Sequence, residues 1–451
     1  MFPSSGAVLA CVSGGADSMC MLETLAEISQ TRGFTVCAAH FNHMLRGDES
    51  ARDEDFVREY CARCGVPVYS ERGDVSEYAH THRTGVEEAA RVMRYAFFYA
   101  AAKKAGAGRI ATAHTADDNA ETVLMNLIRG AGAAGLSGIP PVRGIIIRPM
   151  LRITRNEIIS FLKERGVTYV EDSTNSLDIY TRNKLRHSVI PAITQINPSF
   201  IESAAAASEL ARADEAFLSG LAETFISEHC QATSITSVNA AELAALPAAI
   251  SGRVIRKLGG ASFSRRHVMS VLNLCGMSGS NASLSLPGMT VYAEYGRLVF
   301  IKGGGDRGSG FSPVTLGDGC SEPLEPLDLT VSCKMVICDV VFPEIFNRIN
   351  KSFTSFLFKY TELCGKISVR PRRQGDSIKL YRRNGTKTLK KLFGEHRIPA
   401  RERANIPVIA DDAGPLAVFG LGIGDRALPS PGDAAIQIDF TQKGAQDVRR
   451  Y

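Results

Sequence analysis

The stretch Ser13-Gly14-Gly15-Ala16-Asp17-Ser18 sets two glycines, two hydroxyls and a carboxylate between a short apolar run and a helix-like segment. Residues 7–12 are small and tolerate extended backbone, while Met21, Leu22, Leu25 and Ile28 recur at helical spacing. Strand, glycine turn and helix start together aim unpaired backbone N–H groups at an anion. Gly14 and Gly15 let the backbone approach a phosphate closely, and Ser13 and Ser18 add hydroxyl donors. Asp17 repels a bare phosphate, so it reads as a Mg2+ ligand or an orienting group. A phosphoryl-transferring Walker loop needs G-x-x-x-x-G-K-[ST], and that pattern occurs nowhere in the chain. A lysine-free cradle suits chemistry in which the α-phosphate is attacked and pyrophosphate departs. On this motif alone, a purely structural glycine turn stays open.

The elements around it have α/β texture. Strand-like runs at 7–12, 35–41, 66–70, 109–113, 145–148 and 168–171 alternate with helical stretches, the clearest at 85–105, 117–129 and 154–165. This predicts a parallel sheet, and open α/β sheets bind ligands beyond the carboxyl ends of their strands. Residues 13–18, 40–46 and 114–121 fall at those ends. From 197 the texture changes. Residues 200–229 are Ala-rich, with Leu210, Phe217, Leu221 and Phe225 on one helical face, and short helices follow over 239–275. A hairpin pattern then leads to a Gly-rich joint at 303–310, and a mostly β-like unit runs from about 325 to 430. The domains expected are 1–197, 198–303 and 320–430.

Length and composition narrow the classes. At 451 residues two or three domains are expected. No basic-then-apolar leader opens the chain and no uninterrupted apolar stretch suits a membrane span. Eleven scattered cysteines fit a reducing cytoplasm rather than a disulfide framework. Cys61 and Cys64 form a lone C-x-x-C, read as two cysteines on one helix face packed against the sheet. The net charge is +5, yet residues 370–403 hold twelve basic side chains against three acidic ones. Such a field points to a polyanionic partner or to a solvated basic face.

Six segments follow one another in order: "VSGGADS" (12–18), "HFNHMLRGDES" (40–50), "EEAARVMRYAFF" (87–98), "ATAHTADDNAETVLMNLIRGAGAAGLSGI" (111–139), "RPML" (148–151) and "EDSTNSLDIYTRNKLRHSVIP" (171–191). The series resembles the PP-loop ATP pyrophosphatases, and within them the tRNA(Ile)-lysidine synthases, over nearly all of residues 1–191. The resemblance implies an α/β, adenine nucleotide alpha hydrolase-like PP-loop domain with helical and mostly β C-terminal accessory domains. It implies a ligase that adenylates the C2 oxygen of the wobble cytidine in an isoleucine tRNA with a CAU anticodon. The ε-amine of L-lysine then displaces AMP. ATP and Mg2+ are the implied cofactors, and a homodimer is among the assemblies left open.

Carried over by position, the same resemblance assigns Ser13, Gly14, Gly15, Ala16, Asp17 and Ser18 to ATP phosphates and Mg2+, with His40, Asn42 and His114 facing the nucleotide. Asp118 and Glu121 would meet the lysine ammonium. Arg91 and Arg94 would neutralise the lysine carboxylate or pyrophosphate, and Arg182, Asn183 and Arg186 would touch adenylate or anticodon loop. Asp17, Arg91, Asp118 and Glu121 form the implied catalytic set. Arg370, Arg372, Lys387, Lys390 and Lys391 would hold tRNA phosphates, with Lys387, Lys390 and Lys391 on one side of a short helix. Two other functions stay open: a PP-loop tRNA thiolase using Cys61 or Cys64, and a tRNA-binding module with a regulatory nucleotide site.

Overall fold

A computed structural model describes residues 2–45, 47–171, 181–232, 235–260, 262–277, 282–303, 310–338 and 353–442. Arg46, most of the 303–310 joint and residues 172–180 of the last N-terminal segment lie outside them. The chain forms two compact units, Met1–Gly220 and Leu221–Tyr451.

The first unit is built on β1 (Ala7–Cys11), α1 (Ala16–Arg32), β2 (Thr35–Asn42), α2 (Asp48–Arg63), β3 (Val68–Arg72), α3 (Val75–His82), α4 (Val86–Lys104), β4 (Ala107–Ala111) and α5 (Ala116–Ile128). It continues through α6 (Ala133–Leu136), β5 (Val142–Arg143), β6 (Ile146–Ile147) and α7 (Arg155–Arg165). After residue 180 come α8 (Thr181–Lys184), a π-helical turn Leu185–Val189, α9 (Ile190–Ile196) and α10 (Phe200–His229), which runs past the unit boundary. The sheet order is β3-β2-β1-β4-β6-β5, parallel except for β5. Chain order reverses between β1 and β4, which opens the ligand crevice there. Val8, Ala10, Met19, Leu22 and Leu25 are fully or almost fully buried on one side, and Leu9, Ala39 and Ile110 on the other. Both faces of the sheet are therefore covered, as a parallel sheet requires.

Local chemistry sets the helix ends. Thr115 caps α5 and Thr154 caps α7, each in a reciprocal capping box, with Asp118 and Glu157. Two expectations fail. Residues 168–171 form no strand; they run extended past the glycine loop, where Val170 N donates to Gly14 O at 2.9 Å. Cys61 is fully buried, but Cys64 sits exposed at the C-cap of α2, so the pair does not share a packed face. Cap residues lie beyond the helical repeat, which is why C-x-x-C spacing misled.

In α10 small residues and one phenylalanine do the packing. Ala204, Ser208, Ala222 and Phe225 are buried, while Leu210 and Phe217 stay exposed. The second unit joins three short helices between residues 240 and 275 to the predicted hairpin, Met289–Glu294 with Arg297–Lys302. Beyond it lie antiparallel sheets around Phe356, Phe358, Val369, Ile409 and Ile438. No helix among the described residues is long and apolar enough to cross a membrane.

Candidate active site

A cavity of about 580 Å3 opens at the reversal point, within the range of small-molecule sites. Ser13 and Ser18 line it after β1, Asn42 and His43 after β2, and Thr112 and His114 after β4. His40, Arg94, Asp118 and Arg182 complete the polar wall. The glycine loop turns through a left-handed residue that packs against α2. Gly14 has φ +94°, and a Cβ there would reach Val57, Phe56 and Val170 at 3.5–3.6 Å. Gly15 begins α1 with no side-chain cap, leaving the helix N-terminus to an anion. Ser18 Oγ stabilises the turn, accepting from Ser13 N at 3.1 Å and donating to Gly15 O at 2.9 Å.

The wall beside the loop is fixed by buried polar groups. His40 Nδ1–H donates to Val12 O at 2.9 Å, and burial pushes its pKa down. Asn42 Nδ2 donates to Glu54 at 3.1 Å and to Ser50 O at 3.0 Å, so its orientation is set. Arg58 and Arg72 also donate to Glu54. Burial alone would raise the Glu54 carboxyl, but the hydrogen bonds from Asn42, Arg72 and Arg58 outweigh it and bring the pKa down to about 2. The unfolded chain therefore binds this proton first. Glu54 contributes stability above pH 4.5 that is lost as pH falls towards 2. In E54Q the acid-denaturation profile is expected to be shallower across that window than in wild type, read by circular dichroism; an unchanged slope would contradict the assignment. Burial likewise pushes His114 down to about 4, so it is neutral at pH 7.

Four charged side chains form a tetrad at the start of α5. Glu121, with a side chain 1% exposed, accepts from Arg182 Nε at 2.5 Å and Arg186 Nε at 2.7 Å. Asp118 Oδ1 accepts from Arg182 Nη2 at 3.1 Å and Arg186 Nη2 at 3.4 Å. The other oxygen of Asp118 closes the capping box, accepting from Thr115 N at 2.9 Å. Asp118 is thus both a helix cap and a site acid. Asp17 meets Arg155 Nη1 at 3.1 Å, and burial raises its carboxyl above the usual range against the pull of that arginine.

The remaining expected residues divide. Arg94 lines the cavity half-buried, and burial pushes its pKa down. Arg91 is exposed over the Tyr95 ring and does not line it. Asn183 is half-buried next to Arg182. Glu54 and Arg155 were missed. Both act through partners 12 and 138 positions away in sequence, beyond any local pattern.

A second cavity, of about 470 Å3, lies among Asn119, Arg148, Arg152, Ser208, Glu209 and Arg212. Its frame is tight: Asn119 donates to Ser208 Oγ at 2.8 Å and accepts from Ile139 N at 2.8 Å. Gly138, at φ +62°, leaves no room for a Cβ, which would fall 2.1 Å from Asn119 Oδ1. Arg152 pairs with Glu209 at 2.6 Å. The buried Nε groups of Arg148 and Arg212 have no hydrogen-bond partner among the described residues. Other nitrogens of both guanidiniums are engaged, Arg148 Nη1 with Pro140 O at 2.6 Å and Arg212 Nη2 with Ser137 O at 2.7 Å, so backbone carbonyls hold two positive charges in the wall of this cavity.

In the second unit the basic stretch is not uniformly available. Arg370 is 5% exposed and bonds Asp376 at 2.7 and 2.9 Å, so it is structural rather than a surface phosphate ligand. Lys387 precedes the helix Leu389–Glu395, in the strand Lys387–Thr388, and pairs with Glu395 at 2.7 Å; it does not share a helix face with the other lysines. Lys390 and Lys391 are exposed on that helix, which Leu389 and Leu392 anchor, and Arg372 is half-exposed. Counting charges could not show which ones a neighbouring acid had already taken.

Comparison with known proteins adds the following. Residues 3–193 match the PP-loop domain family, and residues 367–440 match the TilS substrate C-terminal domain family. The chain is 32% identical to the tRNA(Ile)-lysidine synthase of Geobacillus kaustophilus, over 92% of this chain and 90% of that one. It is 32% identical to the same-named protein of Bacillus subtilis over 89% and 87%, and 31% identical to that of Clostridioides difficile over 90% and 89%. Among solved structures, a TilS C-terminal domain is similar over 29% of this chain and 98% of its own, at 24% identity and TM-score 0.24. The U34-tRNA thiolase NcsA of Methanococcus maripaludis covers 46% of this chain and 72% of its own, at 18% identity and TM-score 0.39.

Proposed function

The chain belongs to the tRNA(Ile)-lysidine synthases, and from that membership we propose how its residues divide the work. It is an ATP-dependent ligase that forms lysidine on tRNA(Ile). Ser13, Gly14, Gly15, Ala16 and Ser18 cradle the ATP phosphates at the start of α1, supported by the uncapped N-terminus and the left-handed turn at Gly14. His40, Asn42 and His114 hold the nucleoside side, and Arg94 adds positive charge. Mg2+ fits Asp17, a carboxylate at the phosphate end, where the ion would neutralise the leaving pyrophosphate. Adenylation turns the C2 oxygen into a good leaving group, splitting one difficult displacement into two.

The second substrate is L-lysine. Its carboxylate suits the positive wall of the second cavity, made by Arg148, Arg152 and Arg212, and its α-ammonium suits Glu209 in exchange for Arg152. The first turn of α5 contributes Asp118 to one cavity and Asn119 to the other, so the alkyl arm can carry the ε-amine toward the acids. There the ammonium replaces guanidinium at Asp118 and Glu121 and gives a proton to one of these carboxylates, so that the neutral ε-amine attacks C2 and AMP leaves; the exchange frees Arg182 and Arg186 for adenylate or anticodon phosphates. The carboxylate-guanidinium tetrad beside the nucleotide cavity is the observation that carries this reading. The segments 1–197, 198–303 and 320–430 would then act as catalytic domain, linker and tRNA-binding domain, in the cytoplasm, with assembly as a homodimer still to be measured. The thiolase reading is not favoured: Cys61 is buried, with its thiol pushed up to about 11, and Cys64 is exposed at the C-cap of α2, away from the residues that line the cavity.

The test is incorporation of labelled lysine into CAU-anticodon isoleucine tRNA, with AMP and pyrophosphate released in equal amounts. ATP cleavage to ADP, or sulfur incorporation, would refute it. A second expectation concerns tRNA grip. The double change K390A/K391A should weaken tRNA binding and reduce its salt slope by about two, one for each phosphate contact. R370A should leave that slope unchanged and cost about 3 kcal/mol of stability, because it strands buried Asp376. Salt titrations and melting curves separate the two.

A further inference from the structure

Asp17 and Arg155 hold each other at the phosphate end of the site, and the way Arg155 is mounted suggests that the pairing is temporary. Its backbone N–H donates to Asp117 Oδ2 at 2.8 Å, so the base of the residue is fixed on α5. The Thr154–Glu157 capping box fixes the same turn of α7 from the other side. The side chain, in contrast, is 48% exposed and reaches Asp17 through Nη1 alone, at 3.2 and 3.1 Å. A bidentate fork would be the stronger way to hold a carboxylate. A pinned base with a half-solvated, one-nitrogen grip leaves the guanidinium free to change partners at little cost.

We propose that Arg155 is a polyphosphate-binding residue. It neutralises Asp17 in the nucleotide-free enzyme and moves to the β- and γ-phosphates when Mg2+ takes the carboxylate. This rests on the glycine loop being the ATP phosphate cradle. During adenylation the bond between the α-phosphorus and its bridging oxygen breaks, and the electron pair leaves on pyrophosphate. The new bond joins the α-phosphorus to the cytidine C2 oxygen. Arg155 then stabilises the charge gathering on the departing group, beside the uncapped start of α1.

The proposal requires two effects of opposite sign, which simple damage to the loop would not produce. Calorimetric titration of the full-length chain without tRNA reads both. In R155Q, Mg2+ alone should bind more tightly than to wild type, since it no longer displaces a guanidinium. Pyrophosphate with Mg2+ should bind about 10- to 100-fold more weakly, the effect of one charged hydrogen-bond donor. AMP affinity should be unchanged, because AMP lacks the β- and γ-phosphates. R155K should recover part of the pyrophosphate affinity as a point charge without the planar fork, and it carries the comparison should R155Q not fold. Unchanged pyrophosphate binding, or a loss shared by Mg2+, pyrophosphate and AMP, would overturn the role of Arg155. Failure of wild type to bind either ATP or AMP would instead overturn the cradle itself.

Discussion

Changing Glu121 to glutamine is expected to lower lysidine formation by about a hundred- to a thousandfold while leaving ATP-dependent adenylation of the tRNA closer to wild type. Glu121 is almost completely buried and accepts one guanidinium Nε on each oxygen. A glutamine keeps one acceptor and turns the other position into a donor, which then faces an arginine donor. Burial would lower the Arg186 pKa, but the Glu121 charge and hydrogen bond raise it instead, so that carboxylate is what keeps the cluster in order. The stability cost should be about 2 kcal/mol, below the usual figure for a broken buried pair because both arginines are more than a third exposed and can rehydrate. In the proposed lysine site the larger effect falls on lysine, whose ammonium would lose its best-buried counter-charge. Single-turnover ligation onto pre-adenylated tRNA isolates that step. A rate within tenfold of wild type would remove Glu121 from the lysine site.

Much of this arrangement is readable from the chain, for reasons that differ residue by residue. The glycine loop was legible because it joins an unbroken apolar run to a helical one across residues that tolerate positive φ, a pattern local enough to need no tertiary knowledge. The parallel sheet followed from alternation, and the polar residues at its strand ends marked the crevice before its strand order was known. Residues 168–171 misled because a β-branched, aromatic run can satisfy its backbone against a loop, as Val170 N does at Gly14 O, instead of joining a sheet. The basic stretch misled for an electrostatic reason. Asp376 and Glu395 had already claimed Arg370 and Lys387, and a one-dimensional charge count is blind to which partners lie within bonding distance. Arg155 was illegible for a third reason: its partner lies 138 residues away on another helix, joined only by the fold.

Asp17 should show the sharpest separation between the two half-reactions. On the proposed assignment of Asp17 to Mg2+, D17N is expected to reduce adenylation by about a thousandfold or more, because the ion would lose its carboxylate against the leaving pyrophosphate. It should still transfer lysine onto tRNA that wild-type enzyme has adenylated beforehand, because no pyrophosphate remains to be stabilised in that step. The pH dependence supplies an independent check. Burial, aided by Asp118, raises the Asp17 carboxyl above its ordinary 3.8, with Arg155 opposing. The reactive form is the carboxylate, so adenylation falls as pH is lowered through that raised value. Mg2+ competes with the proton for the same oxygens, and higher Mg2+ must move the acid limb to lower pH. Were D17N to fail equally in both half-reactions, Asp17 would be holding the loop together rather than serving the phosphates. An acid limb indifferent to Mg2+ would lead to the same conclusion, since a carboxylate that never meets the cation has nothing to exchange for its proton.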